Sequence, residues 1–290
     1  MGTRATEITV VLLRCVFQAK GTAVPWQTGR WFHGEVDRVR GIRRGAITAT
    51  IAGAITPQLD QGEGCRSFQS VRRTMPTVDH LFIGVLRTLE PEGQRTGLFK
   101  DPVARVQVRR SGLVGDQQAD HRYHGGPEKA VHQYPPDHYP HLAARFPAAA
   151  RQAVPGALGE NLGSVGMTER TVGIGDRYRM GEAELELSQP RTPCWKINHR
   201  FGEDDLSRFV LAERITGGYY RVVREGTIER GTAIVLLARP NPDWTLDSFW
   251  TVVNRHRPEP DALRALADAV GLAADWAQRL RDRAALLSRG

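Results

Sequence analysis

Two hydrophobic patterns divide this chain at Pro240-Asn241-Pro242: short runs and alternations before it, helical spacing after it. Leu81-Phe82-Ile83-Gly84-Val85-Leu86 is a brief apolar run closed by the turn formers Pro91 and Gly93, which predicts a strand. Val106 and Val108 alternate with polar neighbours in a second candidate over residues 103–108. Further strand-like runs cover 171–180, 183–188, 219–224 and 233–238, with inserted helices over 137–146 and 204–215. Dense glycines between 112 and 166 suit loops, bulges and barrel corners more than helices. After Pro242, Leu246, Phe249, Trp250 and Val253 fall on one helical face, as do Leu263, Leu266 and Val270, and then Trp276, Leu280 and Leu287. Pro258 and Pro260 separate the first of these helices from the second, and Gly271 closes the second. The pattern predicts a mainly β domain over 75–240 and a three-helix unit over 241–290, α+β overall.

Residues 1 to 74 follow neither pattern. The apolar stretch 8–17 is broken by Arg14 and too short to span a bilayer, and Glu7 stands where a secretion signal carries positive charge. From 21 to 74, Trp26, Trp31 and Phe32 mix with Gly, Arg and Thr without a sustained period. The expectation is a disordered extension, or upstream sequence ahead of a start at Met75.

Composition narrows the class without naming it. The chain has 290 residues, 40% hydrophobic and 25% charged, and a formal net charge of +8. Residues 1–74 hold 11 Lys and Arg against 5 Asp and Glu, and the remainder holds 29 against 27. The basic excess therefore sits in the first quarter, and nucleic-acid binding by the main body loses its support. Three cysteines, Cys15, Cys65 and Cys194, are too few and too scattered for a disulfide framework or a paired-cysteine zinc site, which suits a reducing cytoplasm.

Candidate chemistry gathers around Cys194. The alternating Ala183-Glu184-Leu185-Glu186-Leu187 leads into Ser188-Gln189-Pro190-Arg191-Thr192-Pro193-Cys194-Trp195-Lys196, where two prolines end the strand and stiffen the approach to the thiol. Arg191 and Lys196 flank it, and nearby cations favour the thiolate that nucleophiles and soft-metal ligands require. An inert buried thiol is the competing reading.

Two loops could complete a site. His121-Arg122-Tyr123-His124-Gly125-Gly126-Pro127-Glu128-Lys129 places His124 where a Gly-Gly pair lets the backbone approach a ligand, as an anion contact or a proton donor. His132, His138 and His141 make five histidines within 21 residues, but no zinc-site spacing is present, and His138 and His141 are expected on an exposed helix face. Gly156-Ala157-Leu158-Gly159-Glu160-Asn161-Leu162-Gly163 is a second glycine-rich turn able to offer backbone N–H groups to an anion; it fits neither the P-loop nor the dinucleotide fingerprint.

In order, Thr96 to Val103, Leu113-Val114-Gly115-Asp116, His124-Gly125-Gly126-Pro127 with Lys129-Ala130-Val131, Tyr134-Pro135, Gly159-Glu160-Asn161-Leu162, Gly175-Asp176 and the turn ending at Cys194 resemble the blocks of MOSC-domain proteins, and of their YiiM-like group with a C-terminal three-helix domain. The resemblance covers about residues 78–287 and leaves out the first 74. It implies a β-barrel-like MOSC domain that binds molybdenum cofactor (molybdopterin) with Cys194 as the metal's protein ligand, a soft donor suited to a metal already held by pterin sulfurs. Lys100, Lys129 and Arg191 would then face the anionic cofactor, and Gly125, Gly126 and Asn161 would offer hydrogen bonds. The implied activity is reduction of N-hydroxylated bases and related compounds to amines, with His124 and Glu160 as proton donors. Without a flavin, haem or iron–sulfur motif in the chain, electrons would come from a separate flavoprotein reductase. No nucleic-acid or membrane partner is expected. The alternative is a sulfur or molybdenum-cofactor carrier that uses Cys194 as a persulfide or metal-holding thiol.

Overall fold

The structure, a computed structural model, describes residues 75–120 and 124–289, so the expectations for residues 1 to 74 and for His121, Arg122 and Tyr123 lie outside it. Strands run β1 His80–Ile83, β2 Arg87–Leu89, β3 Gln94–Thr96, β4 Asp101–Pro102, β5 Arg105–Arg109, β6 Gly112–Leu113, β7 Val131–Gln133, β8 Leu162–Gly163, β9 Arg177–Met180, β10 Ala183–Pro190, β11 Gly218–Arg224, β12 Gly226–Glu229 and β13 Ile234–Ala238. Eight of them form one curled, half-barrel sheet in the order β13-β9-β10-β11-β7-β8-β1-β4. It is antiparallel except at β7 and β8, where Gln133 pairs with Leu162. A three-stranded sheet, β12-β5-β6, and the hairpin β2-β3 complete the β structure.

Alternation in the sequence becomes burial on one face of these strands. Ala183, Leu185 and Leu187 of β10 are buried, while Glu184 and Glu186 between them are only partly covered and pair with Arg224 and Arg221. The 171–180 run is shorter as a strand than its composition predicts. Gly175, at φ +77, breaks it, and Asp176 turns inward to accept from Gly173, Tyr178 and Arg239. Only Arg177–Met180 is left to join the ladder.

Helices α1 Tyr139–Arg145, α2 Lys196–Phe201 and α3 Leu206–Ala212 are inserted in the β region, and α4 Leu246–Val253, α5 Pro260–Ala267 and α6 Ala274–Leu287 close the chain. Thr245 caps α4 by accepting from the Ser248 N–H at 3.1 Å. All four apolar residues of its predicted stripe are buried, but Val270, assigned to the next stripe, lies beyond the end of α5 and is exposed. The closing helices share one continuous core with the sheet: Leu246, Phe249, Leu263 and Leu280 pack in the same cluster as Leu185, Leu187 and Tyr220. A smaller core under α1 to α3 holds Tyr134, Tyr139, Leu158, Ile197 and Phe201.

Candidate functional site

Strand β10 delivers the cysteine turn. Its last residue, Pro190, pairs with Gly218 of β11, and the Arg191 N–H donates to the Gly217 carbonyl at 3.1 Å, so the chain is held to its neighbour until just before it leaves the sheet. Pro193 and Cys194 then lead into α2, and the Cys194 carbonyl accepts from the Ile197 N–H at 3.1 Å. Gly217 makes this pairing possible: at φ +69, a side chain there would meet the Gln133 carbonyl at 2.4 Å. Its own N–H donates to Glu169 at 2.6 Å, and His138 Nε2 lies 2.6 Å from the second Glu169 oxygen.

The Cys194 thiol is free, partly exposed, and opens on a cleft with about 650 Å³ of empty space, part of it continuous with solvent. Both glycine-rich loops line that cleft, through His124 and Gly125 on one side and Leu158 and Gly159 on the other. Gly159 has φ +78, and a side chain there would begin 2.8 Å from Leu98 Cδ1. Deeper in the same space lie Arg191, His132 and Tyr219, 3%, 4% and 7% exposed.

Charge in the cleft is predominantly positive. Arg191, Lys129 and Lys196 line it, and Arg191 Nη1 is buried with no hydrogen-bond partner among the described residues. Burial, reinforced by Arg191, Lys129 and Lys196, pushes the His124 imidazole down to about 4, so it is neutral at pH 7. His132 is held well below the usual imidazole range by burial and by Arg191, and its Nε2 also lacks a partner. Burial lowers Lys129, with Asp275 opposing.

Of three residues expected at the cofactor or in proton transfer, Lys100 and Asn161 line the cleft and Glu160 lies outside its lining, and all three are engaged by neighbouring groups. Glu160 is fully buried and is not part of the cleft wall: its carboxylate accepts from Tyr139 Oη at 2.5 Å, Gly156 N at 2.6 Å and Leu158 N at 3.2 Å, shaping the glycine loop from behind. Burial raises its carboxyl, and these hydrogen bonds oppose the rise. Lys100 does line the cleft, but its ammonium is spent on both oxygens of Asp116, at 2.6 and 2.7 Å. Asn161 uses its amide internally, accepting from His132 N and donating to Phe82 O and Asp116 Oδ2. The carboxylate of Asp116, in a block that the sequence alone leaves without a role, is thus the hub that fixes this side of the site.

Cys194, His124, Gly125, Lys129 and Arg191 line the cleft together with Lys100 and Asn161. Gly126, at φ +83, adjoins it. His138 is not on an exposed face, because Glu169 draws it inward; His141 is exposed and lies 3.9 Å from Glu213. Among the described residues no cluster of His, Cys, Asp and Glu is arranged to hold a metal ion by itself, and no helix is long and apolar enough to cross a membrane. Tyr219 is a site residue that sequence reasoning missed: it sits in an ordinary alternating strand, and no motif marks it. His132 was noticed only as one of a cluster.

An unpartnered buried guanidinium beside an accessible thiol fits an anionic group whose metal accepts a further soft donor. The MOSC domain model matches residues 120–235. Protein YiiM of Escherichia coli (strain K12) is 34% identical over 195 residues, covering 67% of this chain and 86% of that protein. A protein named Reductase from Gibberella moniliformis is 39% identical over 163 residues, covering 56% of this chain but only 28% of that protein. The crystal structure of YiiM from Escherichia coli superposes with a TM-score of 0.63 at 28% identity, covering 73% of this chain and 94% of that one. By sequence and by fold, this chain belongs to the MOSC-domain family, alongside YiiM.

Proposed function

We propose that this protein binds molybdenum cofactor with Cys194 as its metal ligand and reduces N-hydroxylated bases and related compounds to amines, with electrons from a separate flavoprotein reductase. The observation that carries the reading is the placement of an accessible thiol in one cleft with an unpartnered, buried arginine and two positive-φ glycine loops. A relative that carries the name Reductase supports the reaction class. The cofactor would supply a two-electron centre able to take oxygen from nitrogen. The chain's part is to hold and orient. Arg191 would neutralise an anionic portion of the cofactor, and Lys129 and Lys196 would supply a positive field at the mouth. His124, neutral at pH 7, would offer a hydrogen bond to an oxygen of the substrate and relay a proton there. Glu160 and Lys100 are occupied by Tyr139 and Asp116, and contribute by holding the walls.

The test is molybdenum content of the purified protein, with reduction of an N-hydroxylated purine assayed for the parent and Cys194→Ser. The reading expects molybdenum near one equivalent in the parent and little in the variant, with turnover following the metal. Molybdenum without turnover would point to a cofactor carrier, and a persulfide without molybdenum to sulfur transfer. Undiminished cofactor retention in Arg191→Ala would count against the arginine's role.

A further inference from the structure

We propose that Glu169 is a positioning residue for the cleft: by accepting the Gly217 N–H it sets the backbone from which the Arg191 side chain enters the space that Cys194 lines. Glu169 is buried and stands outside the cleft's lining. One of its carboxylate oxygens accepts from Gly217 N at 2.6 Å, and the other lies 2.6 Å from His138 Nε2. The carbonyl of the same glycine accepts from Arg191 N at 3.1 Å and from Thr216 Oγ1 at 3.1 Å. A single residue thus joins the Glu169 carboxylate to the first residue of the cysteine turn. Glycine makes that joint depend on its partners. Gly217 has φ +69, and since glycine visits either sign of φ with little penalty, its own backbone does not hold the geometry. The hydrogen bonds at its two ends hold it.

Glu169 is itself well anchored. Its carbonyl accepts from Asp247 N at 2.9 Å, and two residues earlier the Met167 carbonyl accepts from Gln133 Nε2 at 3.1 Å. His138, with its side chain 14% exposed, occupies the second carboxylate oxygen. Without the carboxylate, the Gly217 N–H would be left unpaired in a buried setting, and rotation about the glycine toward another acceptor relieves that penalty. Such a rotation shifts the carbonyl to which Arg191 is bonded. The guanidinium offers little resistance at Nη1, which has no hydrogen-bond partner among the described residues. The inference concerns the placement of a cation and holds for any anion that enters the cleft; only the identity of that anion rests on the function proposed above.

The test is alkylation of Cys194 in the full chain, produced in a host that makes no molybdenum cofactor so that the thiol is free. Iodoacetate is an anion and iodoacetamide is neutral, so the ratio of their rates near pH 8, where part of the thiol is ionised, reads the positive field at the sulfur and cancels its general accessibility. Mass spectrometry of the peptide that bears Cys194 follows both rates. Arg191→Met should lower the ratio by about threefold or more, the effect of one unit charge lost within a few ångströms. Glu169→Ala should lower it as well. Removing a carboxylate acts by itself in the opposite direction, so a fall in the ratio has to come through a displaced Arg191. Glu169→Gln, whose amide oxygen can still accept from Gly217 N, should keep most of the parental ratio. A parental ratio in Glu169→Ala, even with a lower melting temperature, would overturn the proposal and leave Glu169 a merely structural role. An unchanged ratio in Arg191→Met, or an equal fall in Glu169→Gln and Glu169→Ala, would overturn it too. If Glu169→Ala does not fold, Glu169→Asp, which withdraws the acceptor by one methylene, decides by the same ratio. Absence of molybdenum from protein made in a host that supplies the cofactor would refute the proposed function and leave this measurement untouched.

Discussion

Replacing Asp116 by Ala strands a buried cation. The side chains of Lys100 and Asp116 are 6% and 1% exposed, so neither charge is hydrated well enough to stand alone. Removing one member of such a pair costs about 3–5 kcal/mol, most of it the penalty of the charge left behind. Asp116 also accepts from Gly84 N at 2.8 Å, Asn161 Nδ2 at 3.0 Å and Gln118 Nε2 at 3.0 Å, which places the expected loss in the upper part of that range. For a folded body of about this size each kcal/mol lowers Tm by about 2–4 °C, so Asp116→Ala should melt about 8–20 °C below the parent. Urea unfolding followed by tryptophan fluorescence measures the free energy directly. The sign of the pH dependence follows from the lysine. Burial already pushes Lys100 down, with Asp116 opposing, and without Asp116 the ammonium can escape its penalty by losing its proton. The deficit of the variant should therefore shrink as pH rises from 7 toward 10. Adding Lys100→Met should recover much of it, since an apolar side chain needs no partner there. A loss below about 1 kcal/mol, or a double variant no more stable than Asp116→Ala, would refute the assignment of Asp116 as the hub of this wall.

Other parts of the site yield sharper local predictions. Because His124 titrates at about 4 in the folded chain and near 6.5 when unfolded, the unfolded state binds more protons between those values. Stability should therefore fall as pH drops from 6.5 to 4, by at most about 3 kcal/mol from this group, and His124→Gln should flatten that slope in urea unfolding. Gly159 and Gly166 both have positive φ, but a side chain at 166 meets nothing within 4 Å while one at 159 strikes Leu98. Gly166→Ala should cost about 1–2 kcal/mol from backbone strain alone, and Gly159→Ala measurably more, as equilibrium unfolding of the two would show. Trp250→Phe removes the buried donor to Thr216 Oγ1, now at 2.9 Å, and should destabilise by about 1–3 kcal/mol; no change in thermal unfolding would mean that the bond contributes nothing.

The parts of this molecule that pattern alone revealed are those where burial follows a local period. Leu246, Phe249, Trp250 and Val253 mark α4 because one helical face is covered, and Leu185 and Leu187 mark β10 because one sheet face is. Local period says nothing about partners distant in sequence, and the contacts that the sequence does not announce fall there. Glu160 reads as an available acid until Tyr139, 21 residues earlier, turns its carboxylate into a scaffold. Lys100 reads as an anion contact until Asp116 claims it. Asn161 is drawn inward by Phe82, 79 residues away. Cys194 and His124, which the structure places on one cleft, stand out in the sequence because of local prolines, flanking cations and paired glycines.

The closing helices are more than an appended unit, because they brace the strap on which Arg191 hangs. Trp250 of α4 donates to Thr216, and the next residue, Gly217, accepts the Arg191 N–H while giving its own to Glu169. Glu169 is tied to the same helix from its backbone, since its carbonyl accepts from Asp247 N at 2.9 Å. On the other side of the cysteine turn, Ser188 at the end of the β10 alternation accepts from Ala273 N at 2.9 Å, just ahead of α6. Two of the three helical segments therefore hold the backbone that precedes Cys194 and the loop it pairs with. A guanidinium with no side-chain acceptor of its own at Nη1 would otherwise swing to find one. Anchoring its backbone fixes the point from which that side chain enters the cleft, so helices more than 50 residues downstream bear on its position.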